Sequence, residues 1–215
     1  MRKTVIGAMA AVLALAALLP GQEVRVIEHY QVCRGGDYIL AVPKEWKKIK
    51  VFRHVAVFQG EGRGIAEIDE TDSAIRSSLV LDSTVGERKT PTLDEACQRD
   101  LKALQGDARV KVLNEGKAEK VALADGAEGL YVETLYVQDG NRRTLSQRLY
   151  AKGYCLHVDT SCGKDSKFLD ANPELFRRLK AYIMSLCFDF SKFKPDVQPL
   201  AGSAQTATAP AAKSA

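Results

Sequence analysis

Apolar and polar residues change places in short, regular runs between Ala127 and Thr160, and those runs read as a three-stranded antiparallel meander. The first strand, Leu130 to Val137, is dense in residues that suit a pleated surface: Leu130, Tyr131, Val132, Thr134, Leu135, Tyr136 and Val137. Gln138-Asp139-Gly140-Asn141 interrupts it with an Asp-Gly pair, a strong hairpin signal because both residues tolerate the angles of a tight turn. The chain returns through Arg142 to Ala151, turns at Lys152-Gly153 and leaves through Tyr154 to Thr160. On this last strand Tyr154, Leu156 and Val158 share one face, and Cys155, His157 and Asp159 share the other. A sheet with an apolar face needs a cover, and a helix is the usual one.

Two stretches have helical spacing. From Thr92, a Thr92/Glu95 capping box precedes the stripe Leu93, Cys97, Leu101 and Leu104, and Gly106 is placed to end the helix. Further on, Asn172 is a good N-cap and Pro173 suits the first helical position. Leu175, Phe176, Leu179, Tyr182, Ile183 and Leu186 then recur along one side. Upstream, strands are predicted at His29 to Cys33, Tyr38 to Val42, Val51 to Phe58, Ile65 to Ile68 and Ser78 to Val85. Shorter ones are expected at Val110 to Leu113 and Lys120 to Leu123. The run Gly60-Glu61-Gly62-Arg63-Gly64 lacks a strand-loop-helix setting and a Walker ending, and reads as a flexible hairpin loop.

Composition changes this picture at the two ends. Arg2 and Lys3 precede an apolar run from Val5 to Leu19 that Pro20-Gly21 breaks, the layout of a secretory signal peptide over 1–21. The run is shorter than the roughly 20 residues a bilayer span needs, and it holds no lipobox cysteine. Cleavage is expected near Ala16-Ala17 or Gly21, leaving a periplasmic or secreted protein with no stable membrane span. Loss of Arg2 and Lys3 lowers the formal net charge from +4 to +2, which removes the main support for a nucleic-acid partner. Residues 22–190 suit a single domain, and 191–215, rich in Ala, Ser, Thr and Pro, read as a disordered tail.

Candidate chemistry is sparse. No GxSxG, HExxH, CxxC or EF-hand pattern occurs, and no catalytic residue or cofactor is expected. Five cysteines in an exported chain imply at least one disulfide, with connectivity open. Cys97, in the stripe of its helix, reads as a small buried hydrophobe. The sharpest constellation is Cys155, His157 and Asp159, with Cys162 just beyond: a candidate metal or thiol site, weighed against a polar sheet face with a structural cysteine. Trp46 with Lys47, Lys48 and Arg63 is a candidate basic, aromatic contact patch for a protein partner, weighed against a core tryptophan beside solvated lysines.

The order of these signals resembles the PsbP/DcrB-like group. The residues that carry the likeness are YILAVPKEWKKI (Tyr38 to Ile49), TLDEACQRDLKAL (Thr92 to Leu104), the meander through Asp159 and the final helix ending near Cys187. The resemblance spans about residues 30 to 190 and implies an α+β fold, an antiparallel β-sheet with flanking helices in an α/β/α sandwich. It implies a non-catalytic envelope module for binding or assembly, and it supplies no catalytic residues to carry over. A metal-binding or thiol-active envelope protein using Cys155, His157 and Asp159 is the alternative.

Overall fold

The computed structural model describes residues 29–52, 55–61, 75–84 and 91–195. The leader, His54, Gly62 to Ile68 with Arg63 among them, and positions 196–215 lie outside the described residues. Strands β1 (Tyr30–Arg34) and β2 (Ile39–Pro43) pair as a separate two-stranded sheet. Then follow β3 (Lys47–Phe52), β4 (Val55–Glu61), β5 (Arg76–Ser83), helix α1 (Leu93–Gly106), β6 (Val110–Glu115) and β7 (Glu119–Ala122). The meander is β8 (Glu128–Gln138), β9 (Arg142–Ala151) and β10 (Tyr154–Gly163), and α2 (Phe168–Ala171) and α3 (Pro173–Met184) come after it.

The meander is the centre of an eight-stranded antiparallel sheet ordered β3-β4-β5-β10-β9-β8-β6, with β7 also on β8. Both hairpins close as the sequence predicts. Asp139 and Gly140 adopt φ of 50° and 68°, and Lys152 and Gly153 adopt 47° and 78°. Two consecutive positive values define the type I′ turn, whose twist matches that of the strands it joins.

Alternation then sends side chains to two unlike layers. On one face Leu149, Leu156, Val158, Leu79, Leu81 and Phe58 are buried beneath α3, α2 and the β1–β2 hairpin, in a core that includes Tyr38, Leu40, Leu175, Leu179 and Ile183. On the other face α1 packs Ala96, Cys97 and Leu101 on Leu130, Val132 and Tyr150. The sandwich is therefore α/β/α, an α+β fold with helices on both sides of an antiparallel sheet. The thirty buried residues of the first layer against six of the second show which side supplies most of the burial free energy.

Helix α1 starts as predicted: Thr92 Oγ1 accepts from the Glu95 N–H at 3.2 Å, and Glu95 returns the bond to the Thr92 N–H at 2.8 Å. Asn172 precedes α3 but makes no cap; its amide donates instead to the Phe168 carbonyl at 2.9 Å, tying α3 to the turn of α2. Three expectations need correction. The single strand Val51 to Phe58 is two strands, β3 and β4, and β3 begins at Lys47. An outermost strand places lysines in solvent at no cost, so a basic run there is strand rather than turn. Helix α3 stops at Met184, and Leu186 is buried beyond its end. Regular structure also continues past 190, since Phe190–Lys192 forms a 3-10 turn capped by Asp189.

Candidate functional site: the open half of the sheet

The α1-facing side of the sheet is built in cross-strand rows set by the registers of β5, β10, β9 and β8. One row is Asp82, Cys155, Tyr150 and Leu130, and the next is Val80, His157, Arg148 and Val132. Then come Ser78, Asp159, Ser146 and Thr134, followed by Arg76, Ser161, Thr144 and Tyr136. The rows thus run from apolar to polar. Helix α1 covers the apolar end; no described helix covers the polar end.

A polar seam marks the edge of that cover. Asp100 of α1 accepts from the Tyr150 hydroxyl at 3.0 Å and lies 3.6 Å from the Arg148 guanidinium, which also donates to Ser146 Oγ at 3.0 Å. Next to it, His157 Nδ1 is 3.1 Å from Asp159 Oδ2, and its Nε2 is 4.0 Å from Asp82. Burial alone would raise the Asp159 carboxyl. The His157 bond and charge, Ser146 and Arg148 outweigh it, and its pKa lies below the usual carboxylate range. Asp159 Oδ1 and Thr134 Oγ1, in one row, are buried without a hydrogen-bond partner among the described residues. Such atoms cost free energy unless something completes them.

Beyond the seam lies a groove of about 410 Å³. Ser78, Asp159, Ser161 and Thr144 lie along its floor rows, and Arg76 of β5 and Arg142 of β9 reach it from the two sides of β10. Arg142 Nη2 donates to Ser161 Oγ at 2.7 Å. Tyr136 adds an aromatic ring whose hydroxyl burial pushes up to about 12, so it stays protonated at neutral pH.

The residues singled out in the sequence are dispersed by the fold. Cys155, His157 and Asp159 do share a face, but Cys155 is drawn under α1 into the cluster with Cys97, while His157 and Asp159 bond to each other. Burial pushes the Cys155 thiol up to about 12, which suppresses the thiolate that reactivity requires. Cys162 does not join them: period two places it with Leu156 and Val158, fully buried in the opposite core. No group of three His, Cys, Asp or Glu side chains among the described residues is placed to hold a metal ion. All five cysteines are free and no pair lies at bonding distance, so the expected disulfide is not formed.

Trp46 is 3% exposed, its indole lying where a side chain on Gly60 would project. Lys47 and Lys48 are exposed on β3 at the edge of the sheet. A contact patch there would consist of the lysines, with the tryptophan serving the core. Arg76, Arg142, Ser161 and Thr144 were not singled out in the sequence. Their only signal is that polar residues hold the alternate positions opposite the apolar ones.

The class that fold and site define is an α/β/α sandwich in which, among the described residues, one sheet face is sealed and the other is half open and polar. No family model matches the chain, and no curated protein does. Solved structures do. The solution structure of cyanobacterial PsbP from Synechocystis sp. PCC 6803 aligns with 85% of this chain and 98% of its own, at 19% identity and a TM-score of 0.44. LpqN, involved in cell envelope biogenesis of Mycobacterium tuberculosis, aligns over 74% and 89% at 14% identity and 0.39. A protein of unknown function from Pseudomonas aeruginosa aligns over 72% and 95% at 11% and 0.40. The PsbP-type resemblance read from the sequence thus has a PsbP among its structural counterparts. At these scores the likeness carries no argument about function.

Proposed function

We propose that this chain is an exported, non-catalytic binding or assembly module of the cell envelope, and that it binds through the open half of its central sheet. The leader-like pattern of residues 1–21 supports export. One observation carries the binding reading. The sheet face that α1 leaves open is concave and lined by converging hydroxyl, amide and guanidinium side chains, among them Ser78, Gln59 and Arg142. The groove's volume lies in the range of about 300–1,000 Å³ usual for ligand sites. The thiol-active alternative loses ground, because Cys155 packs against the α1 cluster and burial there raises its thiol pKa.

Site-specific photocrosslinking in cells expressing the full chain tests the reading. A photoreactive p-benzoylphenylalanine replacing Gln59 at the groove rim is expected to give a discrete adduct in the exported fraction. The same group replacing Lys102, exposed on α1, is expected to give none. Equal adducts from both sites, no adduct from the rim, or retention of the chain in the cytoplasm would each overturn it.

A further inference from the structure

We infer that residues 187–193, just after α3, form a latch across the outer edge of β2, and that Asp125 is its catch. Without that carboxylate the segment opens as a unit while α3 and the eight-stranded sheet stay folded. The latch shares no residue with the groove lining.

The outer edge of a two-stranded sheet carries backbone N–H groups that need partners. In β2 the positions that turn their backbone away from β1 are Ile39, Ala41 and Pro43. Ile39 and Cys187 exchange N–H to carbonyl bonds in both directions, each at 2.9 Å. The Ala41 N–H donates to Ser185 Oγ at 2.8 Å, and Ser185 is the C-cap of α3. Pro43 has no N–H to satisfy. The edge is thus closed in two ways: the helix end holds Ala41, and the segment after it holds Ile39.

That segment is held at few points. Its own regular structure is the 3-10 turn Phe190–Lys192. Past Cys187, its backbone N–H bonds to the rest of the fold, among the described residues, end on one oxygen. Asp125 Oδ2 accepts from the Phe188 N–H at 2.7 Å and from the Asp189 N–H at 3.2 Å. Asp125 lies in the turn between β7 and β8, and its other oxygen accepts from the Ala127 N–H at 3.0 Å. Burial alone would raise its carboxyl; these N–H groups and the Lys152 charge hold it below the usual range, so it is ionised at neutral pH. Lys192 Nζ adds a 3.5 Å bond to the Asp125 carbonyl. Phe188 tilts against Tyr154 at 5.6 Å with the Lys152 ammonium 5.0 Å from its ring, and the Arg34 guanidinium lies 4.4 Å from the Phe190 ring. Phe188 and Phe193 pack only partly on the core, and Ser191 and Lys192 are exposed. Segments with few buried apolar contacts and few backbone bonds open at a fraction of the global unfolding free energy.

Amide hydrogen exchange of the isotopically labelled full chain, read residue by residue by nuclear magnetic resonance, tests this. In Asp125→Ala the amides at positions 39, 187, 188 and 189 are expected to exchange about tenfold faster by a common factor, the loss of charge-assisted bonds. The Ala41 amide and those of α3 and β10 are expected to keep their protection. Phe188→Ala leaves the carboxylate in place and is expected to quicken the same four positions; it decides the matter if Asp125→Ala does not fold. Faster exchange at 188 and 189 with Ile39 unchanged would overturn the inference, because only two bonds would have been lost and no unit opened. Unchanged exchange at all four positions, or equal quickening throughout α3 and β10, would overturn it as well.

Discussion

Strand β10 carries two chemistries that alternate residue by residue, and the two sides of the sheet differ in what they do with them. Tyr154, Leu156, Val158, Thr160 and Cys162 are all buried on the α3 side, where they belong to or adjoin a continuous core. Cys155, His157, Asp159 and Ser161 point the other way, half-buried, and only the first is sealed by a helix. One side is chiefly apolar packing; the other is a hydrogen-bonding problem in which, among the described residues, Asp159 Oδ1 and Thr134 Oγ1 lack partners, as Gln147 Oε1 does on the sealed side. Core packing and a polar row are thus laid on the same strand with period two.

Substitutions on the two faces sharpen that contrast, and the largest effect belongs to the sealed side. Leu156→Ala, at a fully buried position, is expected to cost about 3 kcal/mol in urea unfolding. A loss under about 1 kcal/mol would mean that this core is loosely packed. Asp159→Asn removes a carboxylate tied to His157 and facing Arg148 and is expected to cost about 2 kcal/mol at neutral pH. The sign of its pH dependence follows from the folded carboxyl lying below the unfolded value of about 3.9. Its contribution is complete above the unfolded pKa and is lost as pH falls through the folded one. Unfolding curves between neutral pH and strong acid are therefore expected to converge for wild type and Asp159→Asn at the acid end.

Thr92→Ala strips the capping box of α1, the element that seals only half of the polar face, and is expected to cost about 1 kcal/mol. Hydrogen exchange in that variant is expected to quicken in α1 while α3 keeps its protection. Ser161→Ala, on the open end, is expected to change stability by less than about 0.5 kcal/mol. If it unfolded the protein as much as Leu156→Ala does, the division of labour between the faces would be wrong.

Much of this was legible before any coordinates. The capping box at Thr92, the two turns at Asp139-Gly140 and Lys152-Gly153, and the split of β10 into two faces are local, and local geometry follows from neighbouring residues. Cys162 was kept with the Cys155 face because the strand was expected to end at Thr160; it runs on to Gly163, which gives Cys162 the parity of Leu156. The hairpin at β3–β4 was missed because the lysines of an edge strand look like a solvated turn. The disulfide was expected from the count of cysteines, and a count carries no distances.

What the sequence determined by itself was the alternation, the caps and the turns: which residues prefer which face, and where the chain reverses. Only the tertiary structure decided what covers each face. Helix α1 crosses one end of the sheet because Leu101 and Cys97 find Leu130, Val132 and Tyr150 there, contacts between residues some thirty positions or more apart. That placement leaves Arg76 and Arg142, sixty-six positions apart, beside one serine of a third strand. Side-chain burial between distant segments has no period to read along the chain, so the open groove could be seen only once the strands were assembled.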